Sequence, residues 1–163
     1  MKIGLMSDTH DRLDAIRRAV DFFNRVGVEH VLHAGDLVSP FTAREFRDLK
    51  ARLHIVWGNN DGDRELLRSR FGEIGAELLG DFAALEFAGR RVALLHGTNQ
   101  ALIDALAKGG EFDVVVRGHT HEAGITEGRS LVVNPGEVCG YLSGRQTAAL
   151  LDLTTLRAEI VEL

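Results

Sequence analysis

Short apolar runs that alternate with helix-forming segments are the feature that most constrains how this chain of 163 residues folds. The first run, Lys2–Met6, precedes a segment Leu13–Phe23 whose apolar residues recur at helical spacing, and Gly27 is placed to end that helix. The runs His30–Ala34 and Leu53–Trp57 predict the next two strands. Alternating strands and helices build sheets with helices outside them, so we expect an α/β protein.

The second half of the chain is richer in predicted strands. Phe82–Phe87 and Arg91–Leu95 flank a glycine-containing turn like the arms of a hairpin, which predicts antiparallel pairing. A helix Asn99–Lys108 leads into a strand Asp113–Val116, after which no further helix is expected. The other predicted elements are short helices from Pro40 to about Leu49 and from Asp61-Gly62-Asp63 to about Arg70, and strands near Gly124–Thr126, Ser130–Val133, Gln146–Leu153 and Leu156–Leu163. Together they indicate mixed sheets in a single domain that spans residues 1–163.

Charge and composition exclude several classes of function. The chain carries 19 basic and 24 acidic side chains, a net charge of -5, and has no basic tail or stripe, so a dedicated nucleic-acid binder is not expected. The single Cys139 can form no intramolecular disulfide, and the start of the chain lacks the apolar stretch of a secretory signal. No apolar run approaches the roughly 18 residues of a membrane span. We therefore expect a cytoplasmic protein with no membrane partner.

Residues typical of metal ligands follow five of the predicted strands. Because the carboxyl ends of strands in an α/β sheet border one crevice, these side chains are expected to converge there. Glycines beside them let the backbone approach a shared centre closely. The segments are Asp8-Thr9-His10, Gly35-Asp36, Gly58-Asn59-Asn60-Asp61, His96-Gly97 and Gly118-His119-Thr120-His121.

The candidate ligands are two carboxylates, one amide oxygen and four imidazoles, a set that suits manganese, iron, zinc, cobalt or nickel. They are Asp8, His10, Asp36, Asn59, His96, His119 and His121. This set exceeds what one tetrahedral ion takes and fits two ions that share one carboxylate. We therefore expect a site for two divalent metal ions, with manganese as the first choice. Such a pair attracts phosphate oxygens and supplies hydroxide near neutral pH.

The order of these segments resembles the calcineurin-like metallophosphoesterases, whose pattern is DxH, GD, GNH(D/E), a lone H and GHxH. The resemblance runs from Asp8 to His121, and Asn134-Pro135-Gly136 is similar to a further NPG element of that family. In length the chain is most similar to the family's small prokaryotic phosphodiesterases. The resemblance implies a four-layer α/β/β/α sandwich, in which helices flank two mixed sheets.

The resemblance also implies a role for each ligand. It makes Asp8, His10 and His121 ligands of a first metal ion, Asn59, His96 and His119 ligands of a second, and Asp36 the bridge between them. The implied activity is that of a phosphodiesterase, in which hydroxide held at the binuclear centre attacks the phosphorus of a small phosphoester.

One position departs from the family pattern. The residue after the ligand asparagine, often a His that protonates the leaving group, is Asn60, and an amide cannot be a general acid. Losing such an acid costs on the order of 10² to 10⁴ in rate, so we expect aryl diesters to be cleaved better than alkyl diesters. The next residue, Asp61, either orients Asn59 or a bound water, or caps the following helix. Asn60 and Asp61 are both candidate catalytic residues.

Other functions stay open at this point. A phosphomonoesterase would use the same centre, and the charge of the site favours diesters only modestly. A non-catalytic or weakly catalytic interaction scaffold would use the same fold, because the resemblance includes a eukaryotic sorting-complex subunit; exposed apolar patches would favour it. A nuclease would need a basic groove that the sequence lacks. A homo-oligomer is compatible with the sequence.

Overall fold

The computed structural model describes all residues from Met1 to Leu163 and contains eleven strands, three α-helices and one 3₁₀-helix. The strands are β1 (Lys2–Met6), β2 (His30–His33), β3 (Arg52–Ile55), β4 (Glu77–Leu78), β5 (Phe82–Phe87), β6 (Arg90–Leu95), β7 (Val114–Val116), β8 (Gly124–Thr126), β9 (Leu131–Asn134), β10 (Thr147–Asp152) and β11 (Arg157–Glu162). The helices are α1 (Leu13–Val26), the 3₁₀-helix Pro40–Phe46, α2 (Arg64–Glu73) and α3 (Gln100–Gly109). None of them is long and apolar enough to cross a membrane.

The strands form two mixed sheets. The first has the order β11-β10-β1-β2-β3-β4 and the second the order β5-β6-β7-β9-β8. In the first sheet β1, β2, β3 and β4 are parallel, and β10 and β11 pair antiparallel beside them. In the second sheet β6, β7 and β9 are parallel, with antiparallel strands at both edges. Both sheets therefore present several strand carboxyl ends on one side.

Three apolar clusters hold four layers together. One packs α1, the 3₁₀-helix and α2 onto the first sheet and contains the buried rings of Phe23, Phe46 and Phe71. A second lies between the two sheets, where Leu32 of β2 and Leu94 of β6 both belong to it. The third packs α3 onto the second sheet. This arrangement confirms the expected α/β/β/α sandwich.

Local sequence signals explain three of the helix boundaries. Gly27 ends α1 at φ 76°, a left-handed conformation that glycine adopts without steric cost. The side chain of Asp63 accepts the N–H of Leu66 and so caps α2. Asn99 caps α3 in the same way.

The helix after Ser39 and strand β4 differ from the sequence-based expectation. The helix after Ser39 is a 3₁₀-helix that ends at Phe46 rather than near Leu49, although Leu49 still donates an i to i−3 bond to Phe46. Strand β4 was not expected, because its two residues are too few to show the alternation of apolar and polar side chains that predicts a strand.

Contacts between the sheets bring their carboxyl ends together. Nδ1 of His96, just after β6, lies 2.7 Å from the carbonyl oxygen of Ala34, just after β2. The backbone N–H of His119, after β7, donates to Oδ2 of Asp8, after β1, over 3.1 Å. The loops that carry the candidate ligands therefore share one crevice.

Candidate metal centre

The backbone is strained where it carries most of the candidate ligands. Residues other than glycine rarely adopt positive φ angles, and such strain costs of order 1–3 kcal/mol per residue. Five ligands nevertheless have them: Asp8 (54°), His10 (37°), Asp36 (61°), His119 (73°) and His121 (63°). Each of these residues follows a rigid strand, so the sharp turn aims its side chain into the shared crevice.

Two glycines make room for the ligand loops. A Cβ on Gly58 would overlap the carboxylate and the backbone N of Asp36, and one on Gly118 would overlap the side chains of Ser7 and Asp8. No larger residue fits at either place without moving a loop. The glycines that the sequence placed beside the ligands therefore serve close packing.

Asp8, His10 and His121 form the first ligand cluster. Oδ1 of Asp8 lies 3.6 Å from Nε2 of His10 and 3.4 Å from Nε2 of His121. Ligand atoms about 2.1 Å from a tetrahedral ion lie roughly 3.4 Å apart, so these separations fit one shared ion. Oδ1 of Asp8 and Nε2 of His10 are buried without a hydrogen-bond partner, as atoms reserved for a metal would be.

Asn59, His96 and His119 form the second cluster. Oδ1 of Asn59 lies 3.0 Å from Nε2 of His96 and 3.0 Å from Nδ1 of His119. One amide oxygen and two ring nitrogens thus face one another, which is the donor set expected for the second ion.

Asp36 lies between the two clusters. Its Oδ2 is 3.3 Å from Nε2 of His10 in the first cluster and 3.4 Å from Nε2 of His96 in the second. One buried carboxylate therefore faces both groups of ligands. All the ligands predicted from the sequence are brought together at this point.

The acidity of these groups reflects the same closeness. The nearby carboxylates of Asp36 and then Asp8 raise the pKa of His10 to about 9. Burial acts to raise the pKa of Asp36, but the close imidazoles of His10 and His96 outweigh it and hold that pKa well below its usual value. Burial acts to lower the pKa of His96, and the hydrogen bond to Asp36 raises it above the usual value. The positive charge of protonated imidazoles thus offsets the negative charge of the carboxylates at the place where cations would bind.

Asn60 and Asp61 contact the loops that carry the ligands. The side-chain amide and the backbone N–H of Asn60 donate to the two carboxylate oxygens of Asp36. The buried carboxylate of Asp61 accepts the backbone N–H groups of Asp36, Val38 and Gly58 over 2.7 to 3.1 Å. Asp61 therefore ties together the two ligand loops that follow β2 and β3, and the cap of α2 comes from Asp63 instead.

Glu137, which was not predicted from the sequence, is fully buried beside the first cluster. Its Oε2 lies 2.6 Å from Nδ1 of His121. Burial acts to raise the pKa of Glu137, but hydrogen bonds from Cys139, His121 and the loop that follows lower it to about 2. An acidic residue directly after Asn134-Pro135-Gly136 was the available signal, but the sequence does not tell a buried carboxylate from an exposed one.

Histidines outside the motif set lie away from the crevice or behind it. Nδ1 of His30 lies 2.9 Å from Nε2 of His54, at the opposite end of β2. His33 is fully buried, and its Nδ1 accepts the N–H of Gly35. The guanidinium of Arg117, which is a further charged group near the crevice, donates to the side chain of Gln100 and to the carbonyl oxygen of Gly97. These residues therefore make structural contacts and contribute no ligand atom to the two clusters.

A cleft of about 330 Å³ opens beside the second cluster and shares Asn59 and His96 with it. Trp57, Leu95 and Leu102 supply its apolar surface. Its walls also include Arg64, whose guanidinium lies 3.0 Å from the carboxylate of Asp81. The cleft is continuous with the ligand crevice and carries a paired rather than a free cation.

Comparison with known proteins identifies relatives over nearly the whole chain. Residues 1–156 match the family model of the calcineurin-like phosphoesterase superfamily domain. Phosphodiesterase MJ0936 of Methanocaldococcus jannaschii is 45% identical over 154 residues, which cover 93% of each chain. A solved structure described as a novel archaeal phosphodiesterase superposes with a TM-score of 0.95 at 42% identity and covers 100% of both chains.

A more distant structure shares the fold alone. Vacuolar protein sorting 29 from Cryptosporidium parvum superposes with a TM-score of 0.66 at 16% identity, covering 99% of this chain and 96% of that one. Since one fold hosts different functions, function has to be argued from the site rather than from this likeness.

Proposed function

The chain belongs to the calcineurin-like phosphoesterase superfamily, and on that premise we propose that it is a phosphodiesterase that acts on a small phosphoester with two divalent metal ions. One observation carries the proposal: Oδ2 of Asp36 lies within 3.4 Å of both His10 in the first cluster and His96 in the second. A carboxylate in that position is suited to bridge two cations.

The two clusters define which residues would hold each ion. Asp8, His10 and His121 would hold the first, Asn59, His96 and His119 the second, and Asp36 both. When bound, the ions supply a nucleophile from water near neutral pH and neutralise charge on the phosphoryl oxygens. Nitrogen and oxygen donors together suit manganese first, with zinc, iron, nickel or cobalt as alternatives.

Asn60 and Asp61 have positioning roles in this proposal. Asn60 holds the carboxylate of Asp36 with two donors, and Asp61 fixes the backbone on which Asp36 sits. Neither residue supplies a proton to a leaving group, because an amide N–H is far too weak an acid to transfer its proton and the Asp61 oxygens accept backbone N–H groups. The enzyme therefore depends on leaving groups that depart without an acid.

The cleft beside the second cluster supports a diester substrate. A diester carries two organic substituents, and the apolar surface of Trp57, Leu95 and Leu102 suits an uncharged one. The guanidinium of Arg64 is paired with the carboxylate of Asp81, so it adds little net positive charge to the cleft that could attract a second phosphate dianion. We place one ester substituent in this cleft.

The test combines metal analysis with hydrolysis of an aryl phosphodiester and its monoester analogue, in the presence of Mn²⁺. We expect two ions per chain and faster hydrolysis of the diester. Asp36→Asn should lose both properties, whereas Asp14→Asn, on the exposed face of α1, should keep them. Faster hydrolysis of the monoester would make the protein a phosphomonoesterase. A wild-type protein that is inert with Mn²⁺, Zn²⁺, Fe²⁺, Ni²⁺ and Co²⁺ would contradict an enzymatic role.

No observation favours the scaffold alternative specifically. Most of the large exposed apolar side chains lie on separate elements, among them Phe41 on the 3₁₀-helix, Phe82 on β5, Leu102 on α3 and Ile125 on β8. Tyr141 and Leu142 are an adjacent pair in the loop before β10. Scattered exposed apolar residues of this kind are ordinary on a protein surface.

A further inference from the structure

Glu137 is a buried carboxylate that belongs to neither ligand cluster but touches one of them. We infer that Glu137 is the positioning residue that makes His121 a ligand of the first metal ion, by holding the proton of its ring on Nδ1. The inference rests on the metal centre proposed above and adds a residue to it.

The two ring nitrogens of His121 face different partners. Nδ1 lies 2.6 Å from Oε2 of Glu137, and Nε2 lies 3.4 Å from Oδ1 of Asp8. An ionised carboxylate only accepts hydrogen bonds, so the N–H of a neutral ring must sit on Nδ1. The lone pair of Nε2 is then directed at the first cluster, where a cation would take it.

The carboxylate of Glu137 is itself held firmly. It accepts hydrogen bonds from the thiol of Cys139 over 3.0 Å and from the backbone N–H groups of Tyr141, Leu142 and Ser143. With His121, five donors surround two oxygens, and no water-exposed surface remains on the side chain. Glu137 is therefore anionic and cannot turn away from His121.

The same surroundings explain why glutamine cannot replace this residue. The NH₂ group of a glutamine would face either the protonated Nδ1 of His121 or the N–H groups of the loop, and both of these are donors that cannot accept its hydrogen bond. Facing the ring, it forces Nδ1 to accept and moves the ring proton to Nε2, where it blocks the metal. Facing the loop, it leaves buried donors unpaired.

His121, Glu137 and Cys139 do not form a metal site of their own. The separation of 2.6 Å between His121 and Glu137 is that of a hydrogen bond, too short for two ligands of one ion. Burial, and then the neighbouring Glu137, raise the pKa of the Cys139 thiol to about 12, so the thiol keeps its proton. These three side chains therefore form a hydrogen-bonded group next to the first cluster, which they share only through His121.

The test compares wild-type protein, Glu137→Gln and Cys139→Ala by Mn²⁺ titration. Removing a partner of a ligating histidine typically costs 10- to 100-fold in metal affinity, so E137Q should weaken one of two binding events by about that factor and leave the other in place. C139A removes one of the five donors to Glu137 but keeps its carboxylate, so it should weaken the same binding event less than E137Q does. A thermal melt in EDTA reports separately on the stability of each metal-free variant.

Two results would overturn the inference. One is an E137Q protein that melts earlier in EDTA but binds both ions as tightly as the wild type, which would make Glu137 merely structural. The other comes from ¹⁵N NMR of the histidine rings in zinc-loaded wild-type protein: His121 must carry its proton on Nδ1, and a bare Nδ1 would contradict the role even if E137Q failed to fold. Wild-type protein that binds no metal would overturn the proposed function together with this inference.

Discussion

The side-chain amide of Asn60 donates a hydrogen bond to Oδ2 of Asp36 over 2.8 Å. Its backbone N–H donates to the other oxygen of the same carboxylate, also over 2.8 Å. The position after Asn59 thus serves the carboxylate that faces both ligand clusters, and no titratable side chain stands there to protonate a leaving group. This contact has a direct consequence for substrate preference.

Asn60→His should raise the hydrolysis of alkyl diesters relative to aryl diesters. A positioned general acid contributes about 10²- to 10⁴-fold to the departure of a poor leaving group and little to that of a good one. We expect kcat for an alkyl diester to rise at least tenfold while that for an aryl diester changes little. Asn60→Ala, which adds no acid, is the control, and an equal change on both substrates in N60H would contradict the explanation.

Gly58→Ala should damage the metal centre, whereas Gly62→Ala should not. A Cβ on Gly58 would overlap Asp36, and one on Gly62 has no atom within 4 Å. Overpacking of this kind costs about 1–3 kcal/mol, and here it also displaces Asp36 from the ligand atoms. Urea unfolding and Mn²⁺ titration of both variants measure the two effects. G58A protein with wild-type metal affinity would show that the loop relaxes freely.

Asp61→Asn should destabilise the protein, whereas Asp63→Asn should not. The carboxylate of Asp61 accepts three buried backbone N–H groups, and an NH₂ group would leave at least one without an acceptor, at a cost of about 1–3 kcal/mol. Asp63 caps α2, and asparagine caps helices about as well. Chemical unfolding compares the two. Equal stability of D61N and D63N would refute the tie between the ligand loops.

His33→Gln should make the free energy of unfolding fall less steeply as the pH is lowered below neutral. Burial lowers the pKa of His33 to about 4, whereas the unfolded chain titrates near 6.5. Below pH 6.5 the unfolded chain therefore binds a proton at this ring that the folded protein does not bind. The contribution of His33 to the free energy of unfolding is fully present above pH 6.5 and is lost as the pH falls towards 4. Between pH 7.5 and 5.5 the free energy of unfolding falls by about 1 kcal/mol from this group.

The variant has no such proton to take up, and its amide can still accept from Gly35. Urea unfolding of both proteins in EDTA at the two pH values should therefore show a loss about 1 kcal/mol smaller in H33Q. Parallel losses would mean that His33 takes up a proton in the folded state.

Most of the fold was predictable from the sequence because its signals are local. Helical spacing of apolar residues, Gly27 after α1 and the turn before Arg90 each predict one element, and alternating elements predict the layers. The 3₁₀ geometry of Pro40–Phe46 was not predictable, since the choice between helix types depends on packing against α1 and α2. The edge strand β4 depends only on pairing with β3.

The candidate site was predictable where its residues stand at strand ends. His96 carries little local signal by itself, but its place after β6 brings it beside Asp36 of the other sheet. Glu137 and Asp61 were harder to predict, because their roles depend on partners far away in the sequence. Glu137 lies against His121, 16 residues earlier, and Asp61 accepts the backbone N–H of Asp36, 25 residues earlier. Long-range hydrogen bonds of this kind leave no pattern in the order of residues.

The most direct test of the binuclear centre is a crystal structure of the protein with Mn²⁺, with the ions located by anomalous scattering. The account predicts two ions per chain, about 3.5–4 Å apart, with the carboxylate of Asp36 bound to both. A single ion, or two ions of which Asp36 touches only one, would contradict it.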